Sequence, residues 1–136
     1  MNKDIVIVGG GLSALFVLKQ ISDKQVSVLL IEAYDAIGGT FNILKDNETS
    51  FDFNDEKLDF PSLLNSINKL SSSSDIDIWT QSYVRNITRE NDAFYLDVIT
   101  RDGIKNVRAK QVVMATGYRE RTINQAFIEG DRKSVV

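Results

Sequence analysis

An α/β fold is predicted for this chain of 136 residues: a parallel sheet with helices on its faces and a small antiparallel β-meander. Three observations carry the prediction. The β-branched run Ile5-Val6-Ile7-Val8 passes through three consecutive glycines into the helical period of Leu12 to Ile21. A second apolar run, Val26 to Ile31, completes a unit of about 30 residues, the size of a β-α-β crossover. Further on, turn signals separate three alternating segments ahead of a last apolar run.

The first strand is read over Asp4 to Val8, with Val6 and Val8 on one face and Ile5 and Ile7 on the other. Apolar residues on both faces suit a parallel strand covered on two sides. The first helix has Leu12, Leu15, Phe16 and Leu18 available to pack, and the second strand ends at Glu32. A second glycine pair, Gly38-Gly39, follows. Asn42 to Asp59 is polar and acidic with little periodicity and reads as loop. Pro61, the single proline, opens an amphipathic helix with Leu63, Leu64, Ile67 and Leu70 inward; its missing N–H falls in the first turn. Ser71 to Ser74 is a connector too short to divide domains. Ile76 and Ile78 mark a short strand.

Tyr83 to Arg89, Ala93 to Thr100 and Ile104 to Ala109 then read as three antiparallel strands, turned at Glu90-Asn91-Asp92 and Asp102-Gly103. A separate parallel strand is expected over Gln111 to Ala115, leading into Thr116-Gly117. Residues 1–136 are therefore expected to form one domain, with the meander at about 83–109 inserted before the last parallel strand.

Composition excludes several classes of function. With 43% hydrophobic and 26% charged residues, this is an ordinary globular composition, and a net charge of -3 without a basic stripe argues against nucleic acid. No apolar stretch approaches the roughly 20 residues of a membrane span. The N-terminus runs directly into the first strand, so no leader peptide is expected and the location is read as cytoplasmic. There is no cysteine and no histidine, which removes disulfides, thiol redox pairs, Cys or His zinc sites and histidine acid–base chemistry. No metal site is expected, and no side chain is assigned as a catalytic acid or base. Redox chemistry, if any, must come from a bound cofactor.

The glycine triplet carries the chemistry. Gly9-Gly10-Gly11 with Ala14 forms G-x-G-x-x-A between a strand and a helix, the context a nucleotide pyrophosphate requires. Gly9 permits a tight turn, Gly11 lets the backbone approach the phosphates, and Ala14 lets helix and strand pack. The first helical N–H groups then face the anion. Glu32 lies 23 residues after Gly9 at the end of the second strand, where a carboxylate accepts the adenosine ribose hydroxyls and repels a 2′-phosphate. The plainer alternative is a solvated glutamate. Gly38-Gly39 reads as a second backbone approach to the dinucleotide or as a loop turn, and Ala115-Thr116-Gly117 as a further contact or a strand exit. Trp79, Tyr34 and Tyr118 suit stacking on a ring or packing at the core. The acidic stretch Asp46, Glu48, Asp52, Asp55, Glu56 and Asp59 reads as a solvated face, and Arg119, Arg121, Arg132 and Lys133 as a solvated basic tail.

Taken together, Val8 to Ala14, Glu32 with Gly38-Gly39, and Val113 to Gly117 resemble the FAD domain of two-dinucleotide-binding flavoproteins, the thioredoxin-reductase-like and pyridine-nucleotide-disulfide-like oxidoreductases. Ala115 to Thr122 and Ile128 to Arg132 are similar to the branch found beside glycerol-3-phosphate, sarcosine, opine and hydroxyproline dehydrogenases. The resemblance implies a Rossmann-like parallel sheet, FAD as cofactor and oxidoreductase activity. It implies that Gly9, Gly10, Gly11, Leu12, Ser13 and Ala14 line the pyrophosphate and that Glu32 and Ala33 hold the ribose. Gly38, Gly39 and Thr40 would lie beside the pyrophosphate and ribityl chain. Val84 would meet adenine through its main chain, or be an ordinary strand valine. Ala115, Thr116 and Gly117 would close over the cofactor.

The chain also departs from the pattern. In such proteins an NAD(P)-binding domain follows the Ala-Thr-Gly strand, and Glu129 and Lys133-Ser134 stand where prolines are usual. No second nucleotide domain is expected, and a separate chain is the expected source of the NAD(P)-binding half. The cysteine pair of the disulfide-reducing branches is missing. Two other classes remain open: a non-catalytic nucleotide module, and a simple NAD-dependent dehydrogenase.

Overall fold

The computed structural model describes residues 1–39, 50–73 and 75–116. Its elements, in order, are β1 (Asn2–Val8), α1 (Leu12–Ile21), β2 (Val28–Ile31), β3 (Ser50–Phe53), β4 (Glu56–Asp59) and α2 (Phe60–Ser73). They continue with β5 (Ile76–Trp79), β6 (Tyr83–Glu90), β7 (Ala93–Thr100) and β8 (Gly103–Met114). Six strands form one sheet in the order β5-β2-β1-β8-β7-β6, and β3-β4 forms a separate hairpin. The first four strands of the large sheet are parallel and the last three antiparallel, so β8 belongs to both sets.

Alternation along β1 distributes two cores. Ile5 and Ile7 face a cluster with Ala14, Leu15 and Leu18 of α1, Leu63 and Ile67 of α2, and Phe51 and Phe53 of the hairpin. Val6 and Val8 face a second cluster with Leu29, Ile31, Leu96, Val98, Val107 and Ala109. No helix of the described residues enters that second cluster; side chains of the meander complete it, so the two halves of the sheet share one buried cluster. Burying this apolar surface contributes most of the stabilisation, at about 25 cal/mol per Å².

Two elements differ from the sequence reading. The stretch read as loop up to Asp59 contains the β3-β4 hairpin, turned at Asn54 and Asp55, both with positive φ. Phe51 and Phe53 alternate with polar neighbours, and Phe16 of α1 stacks on Phe53 at 5.6 Å and meets Phe51 edge-on at 5.8 Å. Asp59 ends β4 and accepts the Ser62 N–H at 2.8 Å, capping α2 beside Pro61. The second difference is β8, one strand of 12 residues where two were expected. Its residues in the second cluster change from odd-numbered Val107 and Ala109 to even-numbered Val112, so the strand turns about its axis near Lys110. That break in alternation is why the sequence reads as two strands.

Candidate dinucleotide site

The C-terminal ends of β1, β2, β5 and β8 are joined by backbone hydrogen bonds. Gly9 donates its N–H to the Ile31 carbonyl at 2.8 Å, and Ala115 donates to Val8 at 2.8 Å. Glu32 donates to Trp79 at 2.8 Å, while Ser82 and Gln81 donate to the carbonyls of Glu32 and Tyr34 at 3.0 and 2.8 Å. Ligand sites of open parallel sheets lie at this end.

Each glycine of the triplet meets a different constraint. Gly9 has φ +101, and a Cβ there would run into the Ala115 carbonyl oxygen. A Cβ on Gly10 would come within 3.1 Å of the Glu32 side chain and of Ile37. On Gly11 it would meet nothing within 4 Å among the described residues. That open space lies at the N-cap of α1, where Gly11 is extended (φ -78, ψ -169) and no side chain caps the helix. The N–H groups of the first turn are thus left to water or to a ligand. The residues present therefore fit a pyrophosphate: a bare backbone, clear space and helical donors.

Glu32 is 7% exposed. Its Oε1 accepts the Gly10 N–H and its Oε2 accepts the Tyr34 N–H, both at 2.8 Å. A carboxylate offers about four acceptor positions, so two remain for further donors such as ribose hydroxyls. Gly38 donates to the Gly10 carbonyl at 2.7 Å, and Gly39 packs so closely that a Cβ on it would lie 3.1 Å from the Gly11 Cα.

Most of the residues named from sequence thus gather here: Gly9, Gly10, Gly11, Glu32, Gly38, Gly39 and Ala115, with exposed Ser13, Ala33 and Thr116 beside them. Leu12 and Ala14 turn toward the first core, where Ala14 is fully buried. Val84 packs in the second core two residues after Ser82. Thr40, Gly117, Tyr118 and the residues from Arg119 to Lys133 named above lie outside the described residues, as do Asp46 and Glu48. Sequence reasoning missed Gln81 and Ser82, which link β5 to the Glu32 strand end. Ser82 is 3% exposed with its hydroxyl donating to the Thr80 carbonyl at 2.9 Å, and no motif marks it.

A parallel sheet with a glycine turn, a helix N-terminus and a carboxylate at the next strand end defines a Rossmann-like fold. Comparison with known proteins agrees. Residues 7–60 match the family described as NAD(P)-binding Rossmann-like domain. The chain is 26% identical over 129 residues to the ferredoxin–NADP reductase of Picrophilus torridus, covering 94% of this chain and 38% of that protein. The L-proline dehydrogenase structure from P. horikoshii superposes with a TM-score of 0.67 at 21% identity, covering 90% of this chain and 24% of that one. The p-nitrophenol 4-monooxygenase of Pseudomonas putida gives a TM-score of 0.65 at 17% identity, covering 94% and 44% respectively. The proteins this chain resembles are oxidoreductases, and it spans less than half the length of each of these three. Among the described residues no helix is long and apolar enough to cross a membrane.

Proposed function

We infer that this chain is the FAD-binding part of a cytoplasmic flavin-dependent oxidoreductase, a single domain that holds the ADP half of the cofactor at the β1-α1 turn. The two-dinucleotide-binding flavoproteins are its class, and the branch beside glycerol-3-phosphate, sarcosine, opine and hydroxyproline dehydrogenases is the one its motifs favour. The carrying observation is the clear space over Gly11 at an uncapped helix start, with the buried Glu32 carboxylate alongside. Leu12, Ser13 and Ala14 would donate N–H groups to the pyrophosphate. The free acceptor positions of Glu32 would take the ribose hydroxyls, with Ala33 beside them, and a 2′-phosphate there would face like charge. Thr40, Val84, Ala115, Thr116 and Gly117 complete the proposed contacts. Bound FAD would supply hydride transfer, and the chain would bind and orient it.

A second reading is a nucleotide module without catalysis of its own, which the described groups suit because none of them is a catalytic acid or base.

The visible spectrum of the purified protein separates the readings. A flavin spectrum with about one FAD per chain is expected. A colourless protein that binds ADP and not FAD supports the module, and tight NADH binding without FAD supports a simple dehydrogenase. Gly11→Val is expected to abolish nucleotide binding while changing stability by less than about 1 kcal/mol, because its side chain enters ligand space and strains no backbone. Unchanged affinity in that variant refutes the placement.

A further inference from the structure

Glu32 does more in this structure than end a strand. Its carboxylate is buried, and both oxygens are engaged by backbone N–H groups from different segments: Gly10 in the β1-α1 turn and Tyr34 in the β2 exit. Gly10 in turn accepts from Gly38, and Gly39 rests against Gly11. The Glu32 side chain therefore ties the glycine turn to its own strand exit, and the backbone of the same Gly10 holds the Gly38-Gly39 turn. Three successive glycines are the most conformationally free stretch a chain can contain. A fixed shape there needs an external restraint. Charge-assisted hydrogen bonds to a buried carboxylate supply one, at about twice the strength of neutral bonds.

We propose that Glu32 is a positioning residue for the phosphate site: its grip on the Gly10 N–H fixes the glycine turn in the form that keeps the space over Gly11 clear. This role rests on the nucleotide reading above and is separate from ribose recognition. Only a carboxylate accepts from both N–H groups at once, since an amide presents a donor to one of them. Affinity for the phosphates then depends on Glu32 even when the ligand has no ribose hydroxyls to offer it, because a preorganised turn binds without an ordering cost.

Titration calorimetry with ADP and with 2′,3′-dideoxy-ADP on the wild type and on Glu32→Gln tests this. The variant is expected to lose roughly tenfold or more in affinity for both ligands. Loss on ADP with dideoxy-ADP unchanged means a purely ribose-reading carboxylate and overturns the proposal. A lowered melting temperature with both affinities intact means a merely structural role and overturns it equally. Should Glu32→Gln fail to fold, Gly10→Ala decides: its Cβ crowds the Glu32 carboxylate at 3.1 Å and pushes the turn off it while the carboxylate stays. The same loss on both ligands is expected there, and unchanged dideoxy-ADP affinity overturns the proposal. A wild type that binds neither ligand refutes the nucleotide reading itself, a result unlike any of these.

Discussion

Gly9 and Gly11 are two residues apart and are required for opposite reasons. Gly9 must be glycine for the fold, because its φ of +101 and the Ala115 carbonyl both exclude a side chain. Gly11 has ordinary backbone angles and, among the described residues, open space around it, so the fold does not require its bareness, which the proposed ligand would use. We expect Gly9→Ala to cost about 2–4 kcal/mol, read as a clear drop in thermal midpoint, since a strained φ and a backbone clash coincide. A variant that melts with the wild type would contradict this. The sequence already separates a turn-forming Gly9 from a Gly11 that admits a close approach, but it does not show the clash that makes Gly9 obligatory. That clash comes from Ala115, more than a hundred positions along the chain, and no local pattern reports that neighbour. Glu32 was legible as a strand-end carboxylate for the same local reasons, whereas its bonds to Gly10 and Tyr34 depend on how the turns meet.

At the scale of elements, β1, β2, β5 and β8 are held at the edge opposite the glycine turn by charge. Lys3 is buried, and its ammonium meets Asp77 at 2.6 Å and Asp75 at 3.4 Å. Burial opposes its charge, but the bonds to Asp77 and Asp75 outweigh it and raise its pKa above the ordinary lysine value. Asp4 accepts the Ser27 N–H at 2.8 Å and pairs with Lys110 at 3.2 Å, and these bonds, the Ser27 backbone first, lower its pKa. The signs set the pH response. Stability from Lys3 is full below about pH 10.4 and lost as pH rises through its raised value. Stability from Asp4 is full above about pH 3.9 and lost as pH falls through its lowered value. Urea midpoints measured from pH 3 to 11 are expected to fall at both ends, with Lys3→Met flattening the alkaline limb and Asp4→Asn the acid limb. Limbs identical to the wild type would contradict the assignment. Helices α1 and α2 and strands β5 to β7 were readable from apolar spacing and turn residues. The β3-β4 hairpin was not, because four-residue strands with charged outward positions look like polar loop, and Phe51 and Phe53 acquire meaning only against Phe16.

For the whole molecule the decisive fact is the second core cluster, which mixes Val6, Leu29 and Ile31 of the parallel half with Leu96, Val98 and Val107 of the meander. Neither half buries its apolar face without the other. We expect the meander and the parallel sheet to unfold together, in one transition with coincident far-UV dichroism and Trp79 fluorescence. Trp79 reports on the shared core, where Lys105 of the meander lies 5.9 Å above its ring. Two separated midpoints would show that the meander is an independent unit. The α/β class and the elements other than the β3-β4 hairpin and the single β8 were legible because each depends on spacing within a few residues. The joining of the meander to the parallel half through β8 was not, since it depends on pairings such as Asn2 with Arg108.

Strand β8 also sets a clock for folding. It lies between β1 and β7 in the sheet, yet it emerges from the ribosome after every other described element. While it is still unmade, β1 keeps an unpaired edge whose second half is the run Ile5-Val6-Ile7-Val8, a template for association with other chains. Closure of the sheet waits on contacts across more than a hundred residues, and such long loops slow folding. The newborn chain therefore passes its most aggregation-prone interval with the slot beside β1 empty, and protection of that edge matters most until Met114 has cleared the tunnel.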